Sequence, residues 1–220
     1  MITERTNSPK VVSIDGQSSN MLALGGEKVL ERAFKLVQSK HPKKPLDLSV
    51  GFDWRHFVTE LDCSGQDLDE LDLSPYPNLN ELWCEFNNLS RIDLSPTPKL
   101  RVLYCDHNRL KDLDLSYTPQ LKWLDCRANS IARLDLSYTS ALTELRCDGN
   151  NLTELDVSHT PDLMSLYCSE NNLRDVELSH LPKLRVLYCQ ENQISNLDIS
   201  MTPELKWLHC WDNRRVKIAG

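Results

Sequence analysis

Cys63, Cys84, Cys105, Cys126, Cys147, Cys168, Cys189 and Cys210 are the only cysteines of the chain, and each lies 21 residues from the next. Thiols in such a series could bind a metal, form disulfides or supply a nucleophile. A zinc site needs four ligands converging tetrahedrally, usually from two short pairs, and no two of these cysteines are close in sequence. Residues in register on adjacent strands lie about 4.8 Å apart, wider than the ~3.8 Å that disulfide Cβ atoms prefer. His107 follows Cys105 by two positions and His209 precedes Cys210, but strand alternation turns them away from an inward cysteine. The thiols therefore read as small buried hydrophobes. With no nucleophile motif, phosphate loop or zinc signature in the chain, no catalytic residue, metal ligand or cofactor is expected.

Two polar series share the period. Asp72, Asp93, Asp114, Asp135, Asp156, Glu177 and Asp198 alternate with leucines and so point outward. Stacked like charges repel, so nearby hydroxyls or turn amides must compensate them. A row of calcium ions would need the Gly-rich, Asp-dense loops of calcium-binding repeats, which are missing. Asn87, Asn108, Asn129, Asn150, Asn171, Asn192 and Asn213 form the second series. Their amides are placed to satisfy backbone groups where the chain leaves a strand.

Aligned on the cysteines, the unit reads LxxLxCxxNxLxxLDLSxTPxx, as in Leu121-Lys-Trp-Leu124-Asp-Cys126 and onward to Thr139. Its first half resembles the leucine-rich repeat signature LxxLxLxxN/CxL, with cysteine in the third apolar place. Its second half echoes the first: Leu89-x-x-Ile92-x-Leu94 follows Leu79-x-x-Leu82-x-Cys84 ten residues later. This 10+11 nesting resembles the short bacterial class of that family. The resemblance implies an α/β-type repeat solenoid dominated by β: right-handed, with a parallel concave sheet, short extended convex segments and an N-terminal helical cap. One turn cannot bury its own apolar residues, so stacking supplies the core. Thr97-Pro98, Thr118-Pro119, Thr160-Pro161 and Thr202-Pro203 end the convex segments, because proline cannot donate to a ladder.

Three regions are expected: a flexible tail over 1–20, a helical cap over 21–57, and the solenoid over 58–220, with seven full turns and a partial eighth. Residues 27–40 have helical periodicity, with Val29, Leu30, Ala33, Phe34 and Val37 on one face. Residues 58–220 carry sixteen Lys and Arg against twenty-six Asp and Glu, a balance that repels phosphate backbones and argues against nucleic acid. The sequence has no run of about 18 apolar residues, so no membrane insertion is expected. Unpaired thiols in this number favour a reducing, cytoplasmic compartment. The Ser, Thr, Asn and Lys content of the first twenty residues matches some bacterial secretion tails, so export without a signal peptide is the alternative route. The basic C-terminal edge suggests either charge protection of an open end or a homodimer contact.

Positions that do not repeat carry the functional signal. The concave residues beside the inward Leu and Cys include Trp83, Tyr104, Trp123, Tyr167, Tyr188, Trp207, His209 and Trp211, with Asp125, Arg127 and Arg146 in a charged centre. Large aromatics and arginine are enriched in binding hot spots. These residues are the expected partner-binding set of a non-enzymatic protein–protein interaction module. A bacterial effector, an intracellular adaptor or a toxin-neutralising protein would fit that module, with a carbohydrate-binding face as the alternative.

Overall fold

The computed structural model describes residues 11–14, 17–19, 55, 58–214 and 216–220. Its frame is set by alternation within each turn: a leucine and a cysteine point in, and the residues flanking them point out. This gives β3 (Val58–Asp62), β4 (Glu81–Trp83), β5 (Val102–Tyr104), β6 (Trp123–Asp125), β7 (Glu144–Arg146), β8 (Ser165–Tyr167), β9 (Val186–Tyr188) and β11 (Trp207–His209). The eight strands are parallel neighbours in one sheet, each paired with the strand one turn on, so Leu82 lies beside Leu103 and Leu103 beside Leu124. The repeat solenoid with a parallel concave sheet is borne out. The convex segments are short and extended, and among the described residues there is no α-helix. β10 (Asn196–Asp198) and β12 (Lys217–Ala219) form a parallel pair on that side.

Seven cysteines and their leucine neighbours form one continuous core, and Cys210 alone is half-buried. All eight thiols are free. Burial pushes the Cys63 and Cys189 thiols up to about 12, and the same cause lifts the others. Two thiols also donate weakly to the carbonyl of the next turn: Cys84 Sγ to Tyr104 O at 3.3 Å and Cys147 Sγ to Tyr167 O at 3.4 Å.

The asparagine series bonds in three directions. Asn150 Nδ2 donates to the carbonyls of Cys126, one turn back, at 3.0 Å and of Cys147 in its own turn at 3.1 Å. Its Oδ1 accepts from the amide of Ile131 at 3.0 Å. The same three bonds recur at Asn87, where the accepted amide is Leu68, and at Asn171 and Asn192. To present this amide, the preceding residue turns into the left-handed region. Phe86, His107, Ala128, Glu170, Glu191 and Asp212 have φ between 48 and 55°, and Gly65 and Gly149 have φ of 62° in the same register.

The buried threonines are a further finding. Thr97, Thr118, Thr139 and Thr160 are fully buried, and each hydroxyl donates to the carbonyl three residues earlier, as Thr97 Oγ1 does to Leu94 O at 3.0 Å. The sequence motif pointed to proline as the stop, but the threonine hydroxyl also satisfies the carbonyl at the corner.

Within the segment whose composition suggests a tail, β1 (Val11–Ile14) and β2 (Gln17–Ser19) form an antiparallel hairpin. β1 pairs antiparallel with β3 and so covers the first edge of the sheet. Apart from residue 55, the helical cap expected over 21–57, including the helix at 27–40, lies outside the described residues.

Two outcomes follow from this architecture. Asn150→Ala leaves buried carbonyls and an amide without partners, so it should lower unfolding free energy by about 3 kcal/mol, measured by chemical denaturation. A change under about 0.5 kcal/mol would mean the ladder does not hold the turns together. Brief treatment of the native chain with iodoacetamide near pH 8 should label Cys210 first, with the other seven thiols following only on unfolding. Intact mass after a time course checks this, and rapid multiple labelling would contradict the sealed core.

Candidate functional site

The concave face receives three side chains from each turn, because the residues before, between and after the inward pair all project from it. In the turn of β4 these are Glu81, Trp83 and Glu85; in the turn of β6 they are Trp123, Asp125 and Arg127. Parallel register then sets like positions side by side along the axis.

The middle row forms a stack. Trp83 lies on Tyr104 with ring centroids 6.3 Å apart and planes at 12°. At the next strand the middle residue is Asp125, too short to continue the row. Trp123 leans in from the neighbouring row instead, 5.9 Å from Tyr104. The Arg146 guanidinium bridges the next gap, 5.4 Å from the Trp123 ring centre and 4.8 Å from that of Tyr167. Tyr167 meets Tyr188 edge-on at 5.0 Å, and Tyr188 stacks on His209 at 4.3 Å and 14°. Of the residues expected to bind a partner, Trp83, Tyr104, Trp123, Arg146, Tyr167, Tyr188 and His209 are thus brought into one continuous series. Cation–π geometry of this kind contributes about 0.5–1 kcal/mol at exposed sites.

Trp207 and Trp211 stand apart from it, 61% and 54% exposed. Asp125 and Arg127 depart from the expected exposed centre in a different way. Asp125 is 1% exposed, and Arg127 Nε donates to both of its oxygens, at 2.8 and 3.1 Å. Asp106 is likewise buried, and its Oδ2 accepts from His107 Nδ1 at 2.8 Å. Asp125 sits in register between two longer side chains, Tyr104 and Arg146, and its carboxylate is paired with Arg127, while that of Asp106 is bonded to His107. Arg146 is held by Glu144 through a 2.7 Å bond from Nε.

The sequence reading missed one pair. Phe86 and His107 occupy the left-handed column and stack at 4.3 Å and 20°, with Phe86 57% exposed. Their shared position, two residues after a cysteine, was the available signal.

The two faces treat carboxylates oppositely. On the convex side, Asp72, Asp93, Asp114, Asp156 and Asp198 are held below the ordinary carboxylate range by the hydroxyl and then the amide of the serine two residues on. At Asp135 and Glu177 the serine amide leads. Each carboxylate accepts from that amide, at 2.9 Å for Asp93 and 3.0 Å for Asp135. On the concave side, desolvation raises Glu81, Glu85 and Asp148, and Glu60 adds to Glu81 while Asp106 and Asp62 add to Glu85. Among the described residues no group of side chains is arranged to hold a metal ion, and no helix is long and apolar enough to cross a membrane.

Solved structures follow the same backbone path. The functional domain of InlJ from Listeria monocytogenes, which includes a cysteine ladder, is 36% identical and superposes with a TM-score of 0.72 over 76% of this chain and 37% of that one. The chain is a leucine-rich repeat protein. A leucine-rich repeat protein of Leptospira interrogans has the same fold, with a TM-score of 0.71 at 19% identity over 76% of this chain and 46% of that one. So does the leucine-rich repeat ectodomain of a plant membrane receptor kinase from Arabidopsis thaliana, solved in complex with Casparian Strip Integrity Factor 2. Its TM-score is 0.60 at 23% identity, over 68% of this chain and 20% of that one. This leucine-rich repeat chain therefore spans less than half the length of any of the three. No protein-family model and no curated protein matches it.

The opposed carboxylates give this leucine-rich repeat protein a signed pH response. Glu81, Glu85 and Asp148 take up protons in the native state before the unfolded one, so stability should rise as pH falls from 7 toward about 5. The convex carboxylates do the reverse: their contribution is complete above the unfolded value and is lost as pH falls through their lowered native range, below about 4. Thermal midpoints across pH 3–7 should therefore pass through a mildly acidic maximum. A monotonic decline from pH 7 would contradict this.

Proposed function

We propose that this leucine-rich repeat chain is a non-enzymatic protein-binding module that engages its partner on the concave face. The carrying observation is the seven-residue series from Trp83 to His209. It places large amphipathic side chains in a fixed order on a face left open by the solenoid. Rings held by their neighbours lose little conformational freedom on binding, and Trp, Tyr and Arg dominate measured hot spots. Trp207 and Trp211 would extend the contact at the C-terminal side. Arg127 and Arg146, each already paired to a carboxylate, would tune specificity rather than anchor.

The stacking also bears on the carbohydrate alternative. Sugars pack on open ring faces, but here Trp83 and Tyr104, and Tyr188 and His209, turn faces toward each other. That pairing leaves fewer open faces for a sugar along the series. The acidic balance disfavours nucleic acid. The two bacterial relatives support a bacterial setting, and secretion of the chain would separate an effector from an intracellular adaptor or a toxin-neutralising role. Because seven thiols are sealed in the core, their survival does not require a reducing compartment.

Affinity capture with the wild-type chain, the Trp123→Ala/Tyr188→Ala variant and a convex control, Tyr117→Ala/Tyr138→Ala, tests the reading. A partner retained by wild type and control should be lost by the concave variant, at about 2 kcal/mol for each truncated anchor. Retention by a folded concave variant would overturn the site.

A further inference from the structure

Charge on the concave face is graded along the axis. β3 and β4 present Glu60, Asp62, Glu81 and Glu85 with no Lys or Arg among their outward residues. β6 and β7 each pair an arginine with a carboxylate, whereas β8, β9 and β11 present no Asp, Glu, Lys or Arg. Glu60 and Glu81 lie side by side in register, an arrangement of like charges that weakens a sheet unless a cation joins it. Glu85 Oε2 is buried and meets no hydrogen-bond donor among the described residues.

The same face shows what a guanidinium does there. Arg146 lies between two rings, at 5.4 and 4.8 Å, and its Nε is fixed by Glu144, two residues earlier on the same strand. Among the described residues, the first turns hold the same parts without the cation. Trp83 has Tyr104 on one side, but on the β3 side its neighbour in register is Asp62, and among the described residues no ring stacks there. Glu81 stands two residues before Trp83, as Glu144 stands before Arg146, and Glu60 doubles it.

We propose that this end of the concave face is a receptor site for an arginine of an extended partner segment. The guanidinium lies on the β3-side face of Trp83, and Glu60 and Glu81 accept its N–H groups. Arginine fits better than lysine because its plane stacks on the ring while its fork addresses two carboxylates. The assignment rests on the concave-face reading above and adds the chemistry of the partner at one place.

The full chain, with its indole N–H signals assigned, is titrated at low salt with acetyl-Gly-Gly-Arg-Gly-Gly-amide. Counterparts carrying lysine or neutral, near-isosteric citrulline are titrated in parallel. The arginine peptide should shift the Trp83 indole signal and bind about tenfold tighter than the citrulline peptide, with lysine between them. Glu60→Gln/Glu81→Gln should reduce arginine binding to the citrulline level, and the convex variant Tyr138→Ala should leave it unchanged. Trp83→Leu should bring arginine down to lysine. Equal binding of the arginine and citrulline peptides, no shift at Trp83, or indifference to Glu60→Gln/Glu81→Gln would overturn the site. If it fails while Trp123→Ala/Tyr188→Ala still loses a captured partner, only the arginine assignment falls. If the peptide binds as stated while that variant keeps its partner, the broader concave reading falls instead.

Discussion

Everything in this solenoid depends on a backbone that must leave a strand without stranding its polar groups. A short strand satisfies its amides and carbonyls through its two neighbours, but at the corner the ladder ends. The asparagine amide takes over there, joining carbonyls of two turns with its nitrogen and an amide of the previous turn with its oxygen. Aspartate offers no donor and leucine no polar atom, so only a side-chain amide of this length meets both demands. The left-handed residue before it is the backbone cost of that geometry. The chain accepts this cost even at Phe86, His107 and Glu170, where glycine would relieve it.

With the frame held this way, the two faces are free to differ. The convex side is uniform: each carboxylate is satisfied by its own turn, and one turn is interchangeable with the next. The concave side is individual. Its acids are partly desolvated, its rings lean on one another, and the loss of one aromatic at Asp125 is made good by Trp123 from the next row. Local self-sufficiency on one side and mutual dependence on the other separate scaffold from surface. Cysteine fills that inward column as a small buried apolar side chain, at the place where the family signature carries leucine.

The repeat period, the inward leucines and cysteines and the outward carboxylates were legible in the sequence because each recurs. Alternation alone fixes which way such positions point. What escaped were consequences of unequal neighbours. Nothing in a column of letters says that Asp125 and Asp106 are buried, or that Trp123 crosses rows. The stacking of Phe86 on His107 depends on a left-handed backbone that those residue types do not advertise. The threonine hydroxyls were visible as a motif, but proline beside them offered a competing explanation for the same corner.

The asparagine bonds also constrain how such a chain can change in length. Each reaches a carbonyl 24 residues back and an amide 19 residues back, so an insertion of a few residues between strands would break both at once. A whole turn, inserted or deleted, leaves every bond intact. Growth by duplication is thus the inherited grammar of this molecule. Each duplication writes three new side chains onto the concave face in one event and shifts the spacing between its acidic and aromatic ends by one strand. The distance between two features of a partner can be matched by counting turns, with no redesign of the turns themselves.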